Sequence, residues 1–284
     1  MRAAREHWCR DQSGPPLMSL LYILLIAVIQ GLTEFLPVSS AGHLAAVPLL
    51  TGLTDQGLEI DVAVHVGTLG AVVYYFRDDA ALALSGIGSL LTGQLRGPGV
   101  SLAVCLLIAT VPVLLAGAAI RLLGLDLLLR SLAVIGWATL IFGGVLWWAD
   151  RKGVHEYRAE SWTLRDAVLM GLAQVLALVP GTSRAGITIT AARWLGYRRE
   201  EAARLSMLMS IPAILAAASY LGVESSFTLT WDGVLHTAVA VLASFGAAIV
   251  ALFLMMRYLR VYGYTPYVIY RIGLGLVLLF IAYT

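Results

Sequence analysis

Long apolar runs constrain this chain more than any other feature. A helix that crosses a bilayer needs about 20 mainly apolar residues. Leu102–Leu123, Leu132–Ala149, Leu205–Leu221, Val234–Met256 and Tyr267–Tyr283 all meet that requirement. Within hydrocarbon every backbone N–H and C=O must be satisfied by the protein itself, so such runs predict helices. Leu17–Leu36, Ile60–Phe76 and Leu164–Val179 are less pure candidates, because each carries polar side chains at membrane depth. Leu44–Leu53 and Ile187–Leu195 are too short to cross. Beside Gly and Pro they read as re-entrant segments.

Composition removes the soluble alternative. Only 13% of the 284 residues are charged, against roughly 25% in an average soluble domain. Mean hydropathy is +0.85. The net charge of +2 gives no footprint for nucleic acid, so no such partner is expected. Cys9 and Cys105 form no metal-binding or disulfide framework. Residues 1–16 read as a polar N-terminal extension ending in Gly14-Pro15-Pro16, and 17–284 as a single transmembrane domain. The run after the extension has no small-residue cleavage site, so it reads as a first membrane segment. Basic residues recur in successive loops, and counting them along the sequence leaves the sidedness open.

An internal repeat is visible. Gly31-Leu32-Thr33-Glu34-Phe35-Leu36-Pro37-Val38-Ser39-Ser40-Ala41-Gly42 is echoed by Gly171-Leu172-Ala173-Gln174-Val175-Leu176 and then Pro180-Gly181-Thr182-Ser183-Arg184-Ala185-Gly186. The offset is 140 residues at Gly31/Gly171 and 144 at Gly42/Gly186. That is about half the chain, as in duplicated membrane folds. The repeat halves run roughly over 17–149 and 160–284. The expected architecture is an all-α polytopic membrane protein, with inverted-topology repeats and two re-entrant helix-loop-helix segments. Its broken helices would meet near mid-membrane.

Two constellations carry chemistry. Gln30 and Glu34 are four apart and share a helix face, among Ile29, Leu32, Phe35 and Leu36. A carboxylate there needs a partner, a cavity or an ion. Pro37 ends the helix, and Ser39, Ser40 and Gly42 can then offer hydroxyls and N–H groups to an anion. His43 lies three residues beyond Ser40. The competing reading is a helix cap beside a buried ion pair. In the second constellation, Arg184 offers a fork of donors suited to phosphate oxygens. Gly181 and Gly186 allow close approach of a ligand to the backbone, while Ser183 and Thr188 add hydroxyls. Here the competing reading is a structural Arg184–Glu34 pair. Both readings hold if a phosphate lies between the two side chains.

Weaker positions remain. Asp61 and His65 either line the same cavity or form an intrahelical pair. Arg271 either snorkels to the headgroups or reaches the site.

Gln30 to His43, and Pro180 to Gly186 with Thr188, resemble the two signatures of the undecaprenyl-diphosphatase family, also called the bacitracin-resistance (BacA or UppP) family. Asp61 to Thr68 is similar to the segment that follows the first signature. The resemblance runs from about Leu17 to the C-terminus. It implies a transmembrane phosphatase that converts undecaprenyl pyrophosphate to undecaprenyl phosphate and inorganic phosphate. Such an enzyme recycles the carrier lipid for peptidoglycan, and its overproduction confers bacitracin resistance. The resemblance further implies a multi-pass protein of the bacterial cytoplasmic (inner) membrane, in contact with membrane lipid, and it admits a homodimer. It implies a divalent cation, Mg²⁺ or Ca²⁺, and Glu34 is expected to bind that ion or to act as general base. The expected catalytic residues are Glu34, Ser40, His43 and Arg184, with either Ser40 or His43 as nucleophile. Gln30, Ser39, Ser183, Thr188, Gly181 and Gly186 are expected to bind substrate. The first motif position is often Glu and here is Gln30, which weakens a two-carboxylate metal site. The alternative function is a polyprenyl-phosphate transporter or flippase, since inverted repeats with broken helices also build transporters.

Overall fold

The structure, a computed structural model, describes residues 20–52, 57–125, 131–152, 156–224 and 231–284. The N-terminal extension and Cys9 lie outside the described residues. Within them the chain forms helices α1 (Leu20–Thr33), α2 (Ser40–Thr51), α3 (Gly57–Tyr75), α4 (Arg77–Leu91), α5 (Pro98–Leu122) and α6 (Leu132–Lys152). The second half continues with α7 (Leu164–Val175), α8 (Arg184–Trp194), α9 (Arg199–Glu224), α10 (Trp231–Leu259) and α11 (Thr265–Tyr283). Six of them, α3, α5, α6, α9, α10 and α11, are long and apolar enough to cross a membrane. The all-α polytopic class follows from these six helices.

The other helices explain the site. α1 and α2 form one broken pair, and α7 and α8 form another. Pro37 and then Ser39, at φ 75°, break the first; Gly181 and Ser183, at φ 67°, break the second. A non-glycine residue in this region is uncommon, and the two serines occupy it at equivalent places. Each is the cap of the following helix. Ser39 Oγ accepts from the Gly42 N–H at 3.4 Å, and Ser183 Oγ from the Gly186 N–H at 3.1 Å. The four residues by which the repeat drifts, from 140 to 144, lie between Leu176 and Ser183, where the second copy begins with a 3₁₀ turn, Leu176–Leu178.

Each broken pair turns back toward the end it came from. Tyr22, Ile23 and Ile26 of α1 cluster with Val47 of α2 and Ile60 of α3. At the opposite end Tyr197, just past α8, donates its hydroxyl to Asp166 in the first turn of α7 at 2.7 Å. Burial and that carboxylate raise the Tyr197 phenol well above its ordinary range, so it remains a donor. The pairs cross the long helices in matching fashion, α1 on α10 and α7 on α5. A Cβ at Gly31 would lie 2.5 Å from the Ser244 carbonyl oxygen, and one at Gly171 would lie 2.6 Å from that of Ala109. The repeated glycine thus permits the same close crossing twice.

Helix α4 was not expected from the sequence, because charges fill its first turn and Gly86 and Gly88 interrupt its later part. It packs on α5 where Gly86 meets Gly99 backbone to backbone. Its Asp79 accepts from Arg204 on α9 at 3.0 Å, and Arg204 also donates to Glu160 at 2.8 Å. Nearby, buried Asp150 accepts from Arg193 at 3.0 Å, from Arg199 at 2.8 Å and from the Tyr264 N–H at 3.2 Å. These ties gather one charged end of the bundle.

Candidate active site

Glu34 follows the last turn of α1, where its N–H still donates to the Gln30 carbonyl at 2.9 Å. Its Oε2 accepts from Gln30 Nε2 at 2.9 Å and from Ser40 Oγ at 2.9 Å. Its Oε1 accepts from Arg184 Nη2 at 3.2 Å. Arg184 opens α8, so the two broken helices place an acid from one repeat against a guanidinium from the other. The pair is secluded, with side chains 8% and 15% exposed. A buried ion pair must overcome the cost of taking two charges out of water. Donors from Gln30 and Ser40 offset part of it at Glu34. Arg184 also directs Nη1 at the Ser206 carbonyl, at 3.4 Å.

Two cavities meet at this pair. A polar one of about 120 Å³ is lined by Glu34, Ser39, Ser40, Gly181, Ser183 and Arg184, with Ala41, Ala177 and Pro180. An apolar one of about 500 Å³ shares Glu34, Ala177 and Arg184 with it. That second cavity runs along Val113, Leu114 and Gly117 of α5 and Ile214 and Ala217 of α9, with Arg121 among its lining residues. Gln174, which the repeat sets against Glu34, lines it too, as does His65.

The remaining expected residues are placed differently. Gln30 is fully buried and meets His65 Nε2 at 3.1 Å. Thr188 is fully buried with its hydroxyl on the Arg184 carbonyl at 2.8 Å and on Ser206 Oγ at 2.6 Å, so it ties α8 to α9 and does not line the polar cavity. Gly186 also lies outside the lining: a Cβ there would sit 2.7 Å from Arg271 Nη1. His43 directs Nδ1 at the Ser39 carbonyl at 2.7 Å and Nε2 at the Tyr270 hydroxyl at 2.6 Å. The carbonyl can only accept, so Nδ1 carries the proton and Nε2 accepts from Tyr270. The contacts of His43 are thus with Ser39 and Tyr270, and not with Glu34 or Arg184.

Arg271 does not snorkel. It is fully buried and donates to Pro37 O at 3.3 Å in the first loop and to Gly181 O and Thr182 O at 3.0 Å in the second. A further bond reaches Thr139 O at 3.1 Å. One guanidinium therefore clamps both loops and fixes the separation of Glu34 and Arg184. A cation at membrane depth was the sequence signal for such a role. Tyr270 and Ser206 carried no comparable signal, because their partners are distant in sequence.

Fold and site together define a polytopic membrane protein with an acid–hydroxyl–guanidinium centre between two broken helices. The family model described as Bacitracin resistance protein BacA matches residues 23–277. The chain belongs to that family. It is 60% identical over 267 residues to the undecaprenyl-diphosphatase of Dinoroseobacter shibae, covering 94% of this chain and 100% of that one. The undecaprenyl-diphosphatase of Ruegeria pomeroyi is 56% identical with the same coverage. Undecaprenyl-diphosphatase 1 of Rhodospirillum rubrum is 44% identical over 94% of this chain and 96% of its own.

Proposed function

We propose that this protein is a phosphatase of the bacterial inner membrane that hydrolyses undecaprenyl pyrophosphate to undecaprenyl phosphate and inorganic phosphate. The observation that carries the reading is the junction at Glu34 and Arg184. A polar chamber sized for a phosphate opens there into an apolar cavity suited to a prenyl tail. A lipid pyrophosphate needs both.

The mechanism follows from the bonds. Arg184 and the hydroxyls of Ser39, Ser40 and Ser183 surround the terminal phosphate and stabilise the charge that builds in the transition state. Glu34 already accepts the Ser40 proton at 2.9 Å. In the serine route Oγ attacks the terminal phosphorus as its proton passes to Glu34. The bond from that phosphorus to the bridging oxygen breaks, and undecaprenyl phosphate leaves with the bridging oxygen. Water then hydrolyses the phosphoserine. In the histidine route His43 must first give up its bond to Tyr270. Acid quench with labelled substrate separates the two, because phosphoserine survives hot acid and phosphohistidine does not.

A divalent cation fits beside this chemistry in one way. Among the described residues no three acidic, His or Cys side chains gather as a metal cage. Glu34 is the carboxylate in both cavities, and Mg²⁺ is commonly held by one or two carboxylates together with substrate phosphates. Glu34 would hold the ion jointly with the pyrophosphate, where it would neutralise phosphate charge. The paired broken helices, entering from opposite ends, read as re-entrant segments of two inverted repeats.

Phosphate release from undecaprenyl pyrophosphate by the detergent-purified protein tests the proposal, with Arg184→Ala and EDTA alongside. Release that depends on Arg184 is expected. A folded, metal-supplied wild type that releases nothing would leave the transporter reading, which the inverted pairs also support.

A further inference from the structure

The amide of Gln30 is held in one orientation at a visible cost. Its nitrogen donates to Glu34 Oε2, because only the NH₂ end of an amide can face a carboxylate oxygen. Its oxygen, Oε1, is then buried with no hydrogen-bond partner among the described residues, which is unfavourable. His65 secures that orientation. The ring's Nδ1 lies 2.7 Å from the Asp61 carbonyl, an acceptor, so Nδ1 carries the proton and Nε2 presents a lone pair. That lone pair faces Gln30 Nε2 at 3.1 Å and takes its second N–H. Asp61 and His65 are one turn apart on α3, so the helix itself aims the ring.

We infer that His65 is a positioning residue of the phosphatase: it locks Gln30 as the donor that holds Glu34 Oε2 in line with the Ser40 hydroxyl. The inference rests on the phosphatase reading. It also accounts for glutamine at position 30, since a neutral imidazole can accept from an amide N–H but has nothing to accept from an ionised carboxylate.

Steady-state phosphate release by the full-length protein in detergent tests it, using His65→Leu, His65→Gln, Gln30→Leu and the double variant His65→Leu/Gln30→Leu. Leucine cannot accept a hydrogen bond, whereas the glutamine carbonyl can. His65→Leu should lower kcat by about tenfold, within the range for residues that orient a reacting group, and leave KM within about twofold. His65→Gln should recover kcat to within about threefold of wild type. The double variant should be no slower than Gln30→Leu alone, because the two residues act as one unit. Equal losses in His65→Leu and His65→Gln would overturn the inference, since only packing would then matter. So would losses that multiply in the double variant. An inactive wild type would remove the phosphatase reading and this inference together; an active wild type with either failing pattern removes the inference alone.

Discussion

At the residue scale, the two oxygens of Glu34 serve different partners: Oε1 takes the Arg184 guanidinium and Oε2 takes Ser40 and Gln30. In the proposed serine route, nucleophile and electrophilic clamp are thereby held by one carboxylate. Glu34→Gln keeps the shape but cannot accept the Ser40 proton as a carboxylate does, and kcat should fall by about 10²–10⁴. Arg184→Lys retains the charge but loses the planar fork, with an expected loss of about 10²–10³ in kcat. Single-turnover phosphate release measures both; retention of more than a tenth of wild-type activity in either variant would take that residue out of its assigned role. Arg271 acts at one remove. A lysine has a single nitrogen and cannot reach Pro37 O, Gly181 O and Thr139 O together. Arg271→Lys should let the loops drift and cost up to about 10² in kcat, while substrate binding changes less. The acid, hydroxyls and arginine of this site were legible because polar groups in apolar sequence are expensive. The clamp by Arg271 was not, since a list of residues does not say which carbonyls a buried guanidinium will find. The bonds of His43 with Tyr270 were equally out of reach, 227 positions apart.

At the scale of elements, the crossings of α1 on α10 and of α7 on α5 decide whether the two loops can meet. Gly171→Ala would drive a methyl group into the Ala109 backbone, where nothing can rotate aside. Overpacking of this kind costs about 1–3 kcal/mol. Gly144→Ala on α6, with open space around it, should be neutral or stabilise by up to about 1 kcal/mol. Thermal unfolding in detergent should lower Tm for the first and not for the second; equal shifts would deny the crossing its role. Asp150 belongs to the same scale, since it joins the ends of α6, α8, α9 and α11. Asp150→Ala leaves Arg193 buried with its charge uncompensated, at a cost of about 3–5 kcal/mol, again read as a lower Tm. The repeat and the long helices were legible because glycine, proline and apolar runs punctuate them. Helix α4 was not, because its first turn is charged and its apolar face finds its partner only once α5 lies against it.

At the scale of the whole molecule, most of the basic residues in the described connections lie at one end. Arg77, Arg96, Arg151, Lys152, Arg158, Arg165, Arg198, Arg199, Arg257 and Arg260 fall in the connections or first and last turns that Asp150, Arg204 and Glu160 bind together. At the opposite end, Arg121 is the one Lys or Arg among the described residues. Counting along the sequence hid this asymmetry, because the α4–α5 connection was not known to return to the same side. Cationic ends tend to remain cytosolic, so the expected orientation places the end carrying Arg121, toward which the apolar cavity extends, on the outer side. Substrate would then enter from the outer leaflet. Single cysteines test this in a Cys9→Ser/Cys105→Ser background, using the exposed positions Leu95 between α4 and α5 and Leu123 after α5, at 75% and 70% exposure. In intact spheroplasts a membrane-impermeant maleimide should label Leu123→Cys, and should reach Leu95→Cys only after permeabilisation. The reverse pattern would turn the cavity toward the cytosol and require the lipid pyrophosphate to be supplied from within.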